Sequence, residues 1–293
     1  MSVYDNVLTH KGFIHKDDLN YPFEERGLQF GDGIYEVIRV YKGQYYLINE
    51  HVERLYRSAE AVKIEIPFTK KEVFNYLEEL LLKNNIKTDA KVYLQITRGS
   101  APRDHAFPLN TSANLYAYVQ DLPRKMEIMR DGVAAITQPD VRWDWCYIKS
   151  LNLLPNVMAK QTASEQGCFE AILHKDGEVT ECSSSNIYLV KEGKVYTHPA
   201  KKNILHGCVR MRVEHFCKEK NIPFVEEAFH VEDIQYADEL FLSSSTAEVT
   251  PVVKVDGKPV SNGMVGKVTR KMQEKYEKDA EINEAASIFA KEV

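Results

Sequence analysis

Within the first 120 residues the spacing of apolar side chains switches from a period of two to one near 3.6 and back, so neither an all-α nor an all-β fold accommodates the chain. "GIYEVIRVY" and "QYYLI" are β-rich runs joined at Lys42-Gly43, a hairpin signal. "NEHVERLYRSAEAV" then carries Val52, Leu55, Tyr56, Ala59 and Val62 at helical spacing. Thr69 with Glu72 forms a capping-box match ahead of Val73, Tyr76, Leu77, Leu80 and Leu81. Two more strands, "KVYLQIT" and "NLYAYV", flank a long polar loop, "RGSAPRDHAFPLNTSA". A loop of that length inside a compact domain is usually functional or mobile.

After a connector at "QDLPRK" the pattern becomes strand-heavy. Hairpin-like turns fall at Asp176-Gly177, Glu192-Gly193 and Asp256-Gly257, and helices are predicted near Val209 to Lys220 and Gly266 to Glu277. A chain of 293 residues is long enough for two cores. The expected architecture is a two-domain α/β chain: a small α/β domain over 1–119, a linker over 120–125 and a larger domain over 126–293, the second a closed or nearly closed sheet.

Charge and cysteine usage narrow the function classes. The net charge is -5 with acidic and basic residues interspersed, which recommends no nucleic acid as partner. There is no apolar run near membrane-spanning length and no charged-then-apolar leader at "MSVYDNVLTH", so the expectation is a soluble, cytoplasmic chain with no membrane partner. Five cysteines (Cys146, Cys168, Cys182, Cys208, Cys217) without CxxC spacing read as thiols, and nine histidines without HExxH-type spacing give no reason to expect a metal.

One lysine stands out in "YIKSLNLLPNVMAK". Upstream, "VRWDWCYI" puts Val141, Trp143, Trp145 and Tyr147 on one alternating face, the pattern of a half-buried strand. Downstream, Pro155 suits the first turn of a helix, Val157 and Met158 begin its apolar side, and Gly167 is where it stops. Lys149 therefore lies near the end of a buried strand. An amine held out of water is more readily neutral, the form that attacks a carbonyl, which makes Lys149 a Schiff-base candidate; the bland alternative is a surface-loop cation.

A pyridine cofactor would need further parts. Glu181, before "CSSSN", is a carboxylate able to keep a ring nitrogen protonated if adjacent strands bring it near Lys149; alone it reads as a turn residue. "ILHGCVRMRVEHF" passes through Gly207 into a helical pattern, so the amides of Cys208 and Val209 can face an anion, and "SSST" from Ser243 to Thr246 offers hydroxyls and more amides. Arg54 flanks the apolar face of the first helix, as a phosphate ligand or a solvated surface residue. "FGDGIYE" lacks a third glycine and has its strand after the glycines, so it is a tight turn feeding a strand that starts with Tyr35 among its first residues.

Taken in order, "ERGLQFGDGIYEVIRVY", "NEHVERL", "TRGSAPRDHAFP", "IKSLNLLPNVMAKQ", "GCFEAILHKDGEVTECSSSN" and "LFLSSSTAEVTPV" resemble the fold-type IV pyridoxal phosphate-dependent aminotransferase family, and within it the D-amino acid-specific members, from about Val3 to about Lys278. The resemblance implies a small N-terminal α/β domain, a larger barrel-like domain carrying the catalytic lysine, and a homodimer. It implies that Lys149 holds pyridoxal 5'-phosphate and shuttles the proton, and that Glu181 pairs with the pyridine nitrogen. Arg54, the amides at Cys208 and Val209, Ser244 and Ser245 would hold the phosphate, and Leu205 would pack behind the ring. Tyr35, with Arg103 and His105 from the second subunit, would bind the substrate carboxylate. Ser245 stands where relatives often have threonine, which keeps the hydroxyl. The implied reaction moves the amino group of D-alanine and other D-amino acids to 2-oxoglutarate or pyruvate, because Arg-x-His in "APRDHAFP" matches the D-specific relatives. A branched-chain L-amino acid aminotransferase, an aminodeoxychorismate lyase and a non-catalytic binding protein are the alternatives. The tail "AEINEAASIFAKEV" has no assigned role.

Overall fold

A computed structural model describes residues 3–290. The chain divides into two compact units: Met1–Arg124 with Ile148–Asn152, and Lys125–Tyr147 with Leu153–Val293.

The first unit is built on six strands, β1 (Asn6–Thr9), β2 (Gly12–His15), β3 (Gly33–Tyr41), β4 (Gln44–Tyr45), β5 (Ala90–Thr97) and β6 (Asn114–Asp121), in the order β2-β1-β6-β5-β3-β4. A short helix, α1 (Arg26–Phe30), leads into β3 through Gly31, which closes it in the left-handed conformation. Period two gives the sheet its two sides. Ile34, Ile38 and Val40 of β3 pair with Ile96, Val92 and Ala90 of β5, and this face is buried with Val52 and Leu55 of α2 (Ile48–Ala61) and Val73, Leu77 and Leu80 of α3 (Lys70–Lys83). The opposite face carries Tyr35, Tyr93 and Tyr118, stacked in series at 5.9 and 5.3 Å between ring centroids. The Thr69–Glu72 capping box forms as the sequence implies.

The second unit begins with α4 (Met126–Asp131) and holds nine strands: β7 (Val133–Pro139), β8 (Glu170–Lys175), β9 (Glu178–Cys182), β10 (Asn186–Lys191), β11 (Lys194–Thr197), β12 (Phe224–Glu226), β13 (Glu239–Ser244), β14 (Glu248–Val255) and β15 (Lys258–Pro259). Their order is β12-β11-β10-β13-β14-β7-β8-β9, with β15 on β14. Between β9 and β10 lie β13, β14, β7 and β8 in hydrogen-bond order, yet only Ser183, Ser184 and Ser185 separate them in the chain. A connection that short forces the sheet to curl back on itself, and the Cys182 N–H closes the turn on the Ser185 carbonyl at 2.8 Å. Ile172, Val179, Ile187, Leu189, Leu240 and Leu242 fill one side of the sheet. On the other, Ile136, Ala171 and Leu173 cluster with Ala163 of α5 (Leu154–Glu165). Helices α6 (Cys208–Glu219) and α7 (Lys267–Asp279) complete the unit. The four hairpin turns at Lys42-Gly43, Asp176-Gly177, Glu192-Gly193 and Asp256-Gly257 all carry positive φ at both residues, the geometry of a type I′ turn. Among the described residues no helix is long and apolar enough to cross a membrane, and no group of histidine, cysteine, aspartate and glutamate is placed to hold a metal ion.

Four expectations are revised. Residues 120–125 are not a free linker: Gln120 and Asp121 end β6 opposite Lys91 and Ala90, and the Leu122 carbonyl accepts from Arg39. Nor does Lys149 sit in the second unit. Residues 148–152 lie along β3, where the Tyr35 N–H donates to the Lys149 carbonyl at 2.9 Å and the Leu151 N–H to Gly33 at 3.0 Å. A Cβ at Gly33 would fall 2.7 Å from Leu151 Cδ1, so the bare backbone of glycine is what admits this approach. Finally, "VRWDWCYI" is not a strand. Val141, Trp143, Trp145 and Tyr147 are exposed, while Cys146, Ile148 and the Arg142 side chain are buried. Arg142 is tied inward by Asp140, and with Cys146 and Ile148 it forms the buried side; Asp144 between them is exposed, so the alternation is broken there. Likewise α5 has its proline in the first turn and Gly167 follows its end in the left-handed region, but Val157 and Met158 are exposed and Ala163 is its buried residue.

Candidate active site

In the first unit Lys149 is fixed through its backbone, its N–H donating to Ser58 Oγ of α2 at 3.2 Å and its carbonyl held by Tyr35. Its side chain is half-buried, with Nζ 3.3 Å from Tyr35 Oη and 4.3 Å from the Tyr35 ring centroid. Two of the expected site residues are thus brought together.

Arg54 is not a solvated helical arginine. Its Nε and Nη2 donate to the two oxygens of Glu36 at 2.8 and 2.7 Å, and His51 Nδ1 lies 2.7 Å from Glu36, all three side chains being buried. Burial by itself would raise the Glu36 carboxyl, but the Arg54 charge and its bonds, aided by His51, bring it down to about 2. The planar fork of Arg54 is therefore held in one orientation.

The loop carrying Arg103 and His105 is organised by buried charges at its base. Asp32 accepts from Arg26 Nε at 2.8 Å and Arg98 Nε at 2.9 Å; Arg26 Nη1 donates to the Asp104 carbonyl at 2.7 Å, and the Arg98 guanidinium lies 3.6 Å from the Phe107 ring centroid. Arg103 and His105 are exposed and flank Phe30, at 4.8 and 5.5 Å from its ring centroid. Among the described residues neither hydrogen-bonds Tyr35 or Lys149.

In the second unit Glu181 ends β9, buried. Its oxygens accept from Arg142 Nη1 at 2.6 Å, Asn186 Nδ2 at 3.1 Å and the Leu205 N–H at 3.1 Å. Burial pushes its carboxyl above the ordinary range, while Arg142 and the Leu205 N–H pull the other way. Asn186 also donates to the Leu205 carbonyl at 2.9 Å, and a Cβ at Gly207 would lie 2.2 Å from Asn186 Oδ1. Strand end, loop and helix start are thereby knit into one piece. Gly207 supplies no side-chain cap for α6, whose first N–H groups, at Cys208 and Val209, have no intrahelical acceptor and lie at the positive end of the helix. Ser243 pairs with Asn186 across β13 and β10, which puts Ser244 and Ser245 at the same sheet end; Ser244 Oγ accepts from the Ala247 N–H at 3.1 Å. The serines of "CSSSN" have a different job: Ser183, Ser184 and Ser185 all donate to buried Glu170, which makes the turn rigid.

Each unit by itself presents groups of a kind that a phosphorylated pyridine takes. The second unit presents a buried carboxylate suited to a protonated ring nitrogen and an uncapped helix start suited to a phosphate; the first presents an amine and a phenol. Sequence reasoning passed over Arg142, Asp140, Asn186, Glu36 and His51. A signal existed for Glu36 alone: it is a charged residue at a core-facing position between Ile34 and Ile38.

The model of the amino-transferase class IV family matches residues 33–255. Over 273 residues the chain is 44% identical to a D-alanine aminotransferase of Staphylococcus haemolyticus, covering 93% of this chain and 96% of that protein. Over 288 residues it is 41% identical to a D-alanine aminotransferase of Listeria monocytogenes, covering 97% and 99%. The fold matches the crystal structure of a branched-chain aminotransferase from Thermoproteus uzoniensis with a TM-score of 0.85 at 25% identity, covering 94% of each chain. A family match across most of the chain, carried by relatives of this identity and coverage, leaves one conclusion: the chain belongs to the class IV aminotransferases, enzymes that work through pyridoxal 5'-phosphate.

Proposed function

We propose that the chain is a D-amino acid aminotransferase that moves the amino group of D-alanine and other D-amino acids to 2-oxoglutarate or pyruvate. The observation that carries this reading is the 44% identity, over 93% of the chain, to a D-alanine aminotransferase; the contact of Lys149 Nζ with Tyr35 Oη at 3.3 Å supports it.

Pyridoxal phosphate supplies an aldehyde that condenses with amines and a ring that accepts the electron pair left when the α-proton is removed. Lys149 would be the amine that holds it, and its Nζ would take the α-proton and return it. Glu181 keeps the proton on the ring nitrogen. Arg54, fixed by Glu36, takes the phosphate with the N–H groups of Cys208 and Val209 and the hydroxyls of Ser244 and Ser245. Leu205 would pack against the ring. Tyr35, next to Lys149, receives the substrate carboxylate with Arg103 and His105 of the partner subunit in a cytoplasmic homodimer. A base on one face requires the α-hydrogen on that face, so carboxylate and side chain divide two pockets and the pocket that captures the carboxylate sets the accepted hand.

The test mixes purified holoenzyme separately with D-alanine and L-leucine, 2-oxoglutarate being the acceptor. The visible band is expected to change rapidly with D-alanine, with pyruvate and glutamate released. Preference for L-leucine returns the chain to the branched-chain reading, and pyruvate release from aminodeoxychorismate without amino transfer to the lyase.

A further inference from the structure

Glu181 does not stand alone. Arg142 is shared between two carboxylates: Nη1 goes to Glu181 at 2.6 Å, while Nε and Nη2 go to Asp140 at 2.9 and 2.8 Å. Asp140 is fixed in turn by the Arg142 backbone N–H at 3.1 Å and by Thr180 Oγ1 at 2.7 Å. The three side chains are 6%, 1% and 6% exposed for Arg142, Asp140 and Glu181, so water screens none of these charges.

We propose that Asp140 and Arg142 are positioning residues for Glu181: Arg142 aims its carboxylate, and Asp140 cancels the charge of Arg142 so that one negative charge is left for the cofactor's ring nitrogen. The proposal rests on the reading that Glu181 faces that nitrogen. A lone Arg142–Glu181 ion pair would be neutral as a pair and would hold little field for a pyridinium. With Asp140 present, two carboxylates and one guanidinium leave a single net anion, while Asn186 and the Leu205 N–H hold the Glu181 carboxylate in one orientation beside the arginine. Other ionisable groups nearby do not upset this count. Cys146 is a buried thiol pushed up to about 11 by burial, the Cys182 thiol is also raised by burial, and Lys175 is engaged with Asp144. Glu170, the remaining buried carboxylate near Cys182, is taken up by the three serines.

The alternative is a tether that only fastens the irregular 140–148 segment, and the two roles separate experimentally. Asp140→Asn keeps the shape and one of the two acceptor oxygens, which serve Arg142 Nε and N–H on one side and Arg142 Nη2 and Thr180 on the other, and removes the charge. In holoenzyme reconstituted with isotope-labelled cofactor, NMR of the ring nitrogen should show its proton lost at a pH lower by about one unit or more. The first half-reaction with D-alanine should slow about ten- to a hundredfold, the usual cost of removing an orienting partner behind a ligating group, with melting temperature near wild type. Asp140→Glu should restore the ring-nitrogen signal, and removing both charges in Asp140→Asn with Arg142→Met should recover more of it than Asp140→Asn alone. An unmoved signal in Asp140→Asn, or equal loss in Asp140→Glu, overturns the proposal. Glu181→Gln is measured alongside: if it too leaves the signal unmoved, the reading of Glu181 fails, whereas a shift there with none in Asp140→Asn rejects only the charge balance.

Discussion

Glu36 shows what one buried carboxylate does for a buried cation. Its side chain is fully enclosed, and it meets Arg54 and His51 at 2.7 to 2.8 Å. Glu36→Gln would leave Arg54 as a buried charge without its counter-ion, a change that typically costs about 3–5 kcal/mol. Cofactor retention should fall with it. Because the folded carboxyl is lowered from 4.5 to about 2, its contribution to stability is fully present above pH 4.5 and is lost as pH falls through about 2. Denaturant unfolding of wild type and Glu36→Gln at neutral pH and again at low pH checks this. The gap between the two should be widest at neutral pH and shrink below pH 4.5; a gap that does not change with pH would mean the effect is packing alone. The period-two pattern of "GIYEVIRVY" holds a signal for Glu36, on the same side of the strand as Ile34 and Ile38, that sequence reasoning left unused. Its partners on α2 were not legible, since helical spacing names the face of His51 and Arg54 but not the strand position they reach.

At the scale of elements, local signals proved strongest where local chemistry decides the conformation. The capping box of α3 and the four turns with left-handed backbone are specified by residues within a few positions of one another. The run 141–148 failed for the opposite reason: its inward face is chosen by Asp140 and by Glu181, a residue 39 positions away from Arg142. The start of α6 lies between these cases. Gly207 was read correctly as the entry to a helix, but its closeness to Asn186 depends on the curl of the sheet. Gly207 has φ -68, which alanine adopts without strain, so Gly207→Ala acts through the Cβ alone. That carbon would displace Asn186 from both Glu181 and Leu205. The expected result is a loss of about 1–3 kcal/mol in cofactor binding, the usual scale for overpacking a tight site. Dissociation of the cofactor under dialysis measures it, with helix content by circular dichroism unchanged. Retention equal to wild type would show that Asn186 gives way at no cost.

At the scale of the whole molecule, the expected fold class is the one found, but the assignment of Lys149 to the larger domain is not, because five residues leave the second unit to lie along β3. No periodicity encodes such an excursion; it is set by Gly33 and by backbone pairing at long range. Arg103 and His105 pose a separate question. Their loop is held in place by Arg26, Asp32 and Arg98 of the same chain, with Leu28, Phe107 and Leu109 exposed nearby, an apolar surface of the kind a second copy covers. If the loop serves the partner's site, each site in a dimer takes Lys149 from one subunit and Arg103 from the other. By this reading Lys149→Ala loses nearly all turnover and Arg103→Ala has a raised Michaelis constant for D-amino acids and a lowered rate, but a hybrid dimer of one copy of each contains one site with both wild-type groups. Co-expression with two different affinity tags isolates that hybrid, and its turnover of D-alanine should be on the order of half that of wild type per dimer, as two-fold symmetry requires. A loop acting within its own subunit leaves both sites of the hybrid defective, and turnover no higher than the mean of the two parents would assign Arg103 to its own chain.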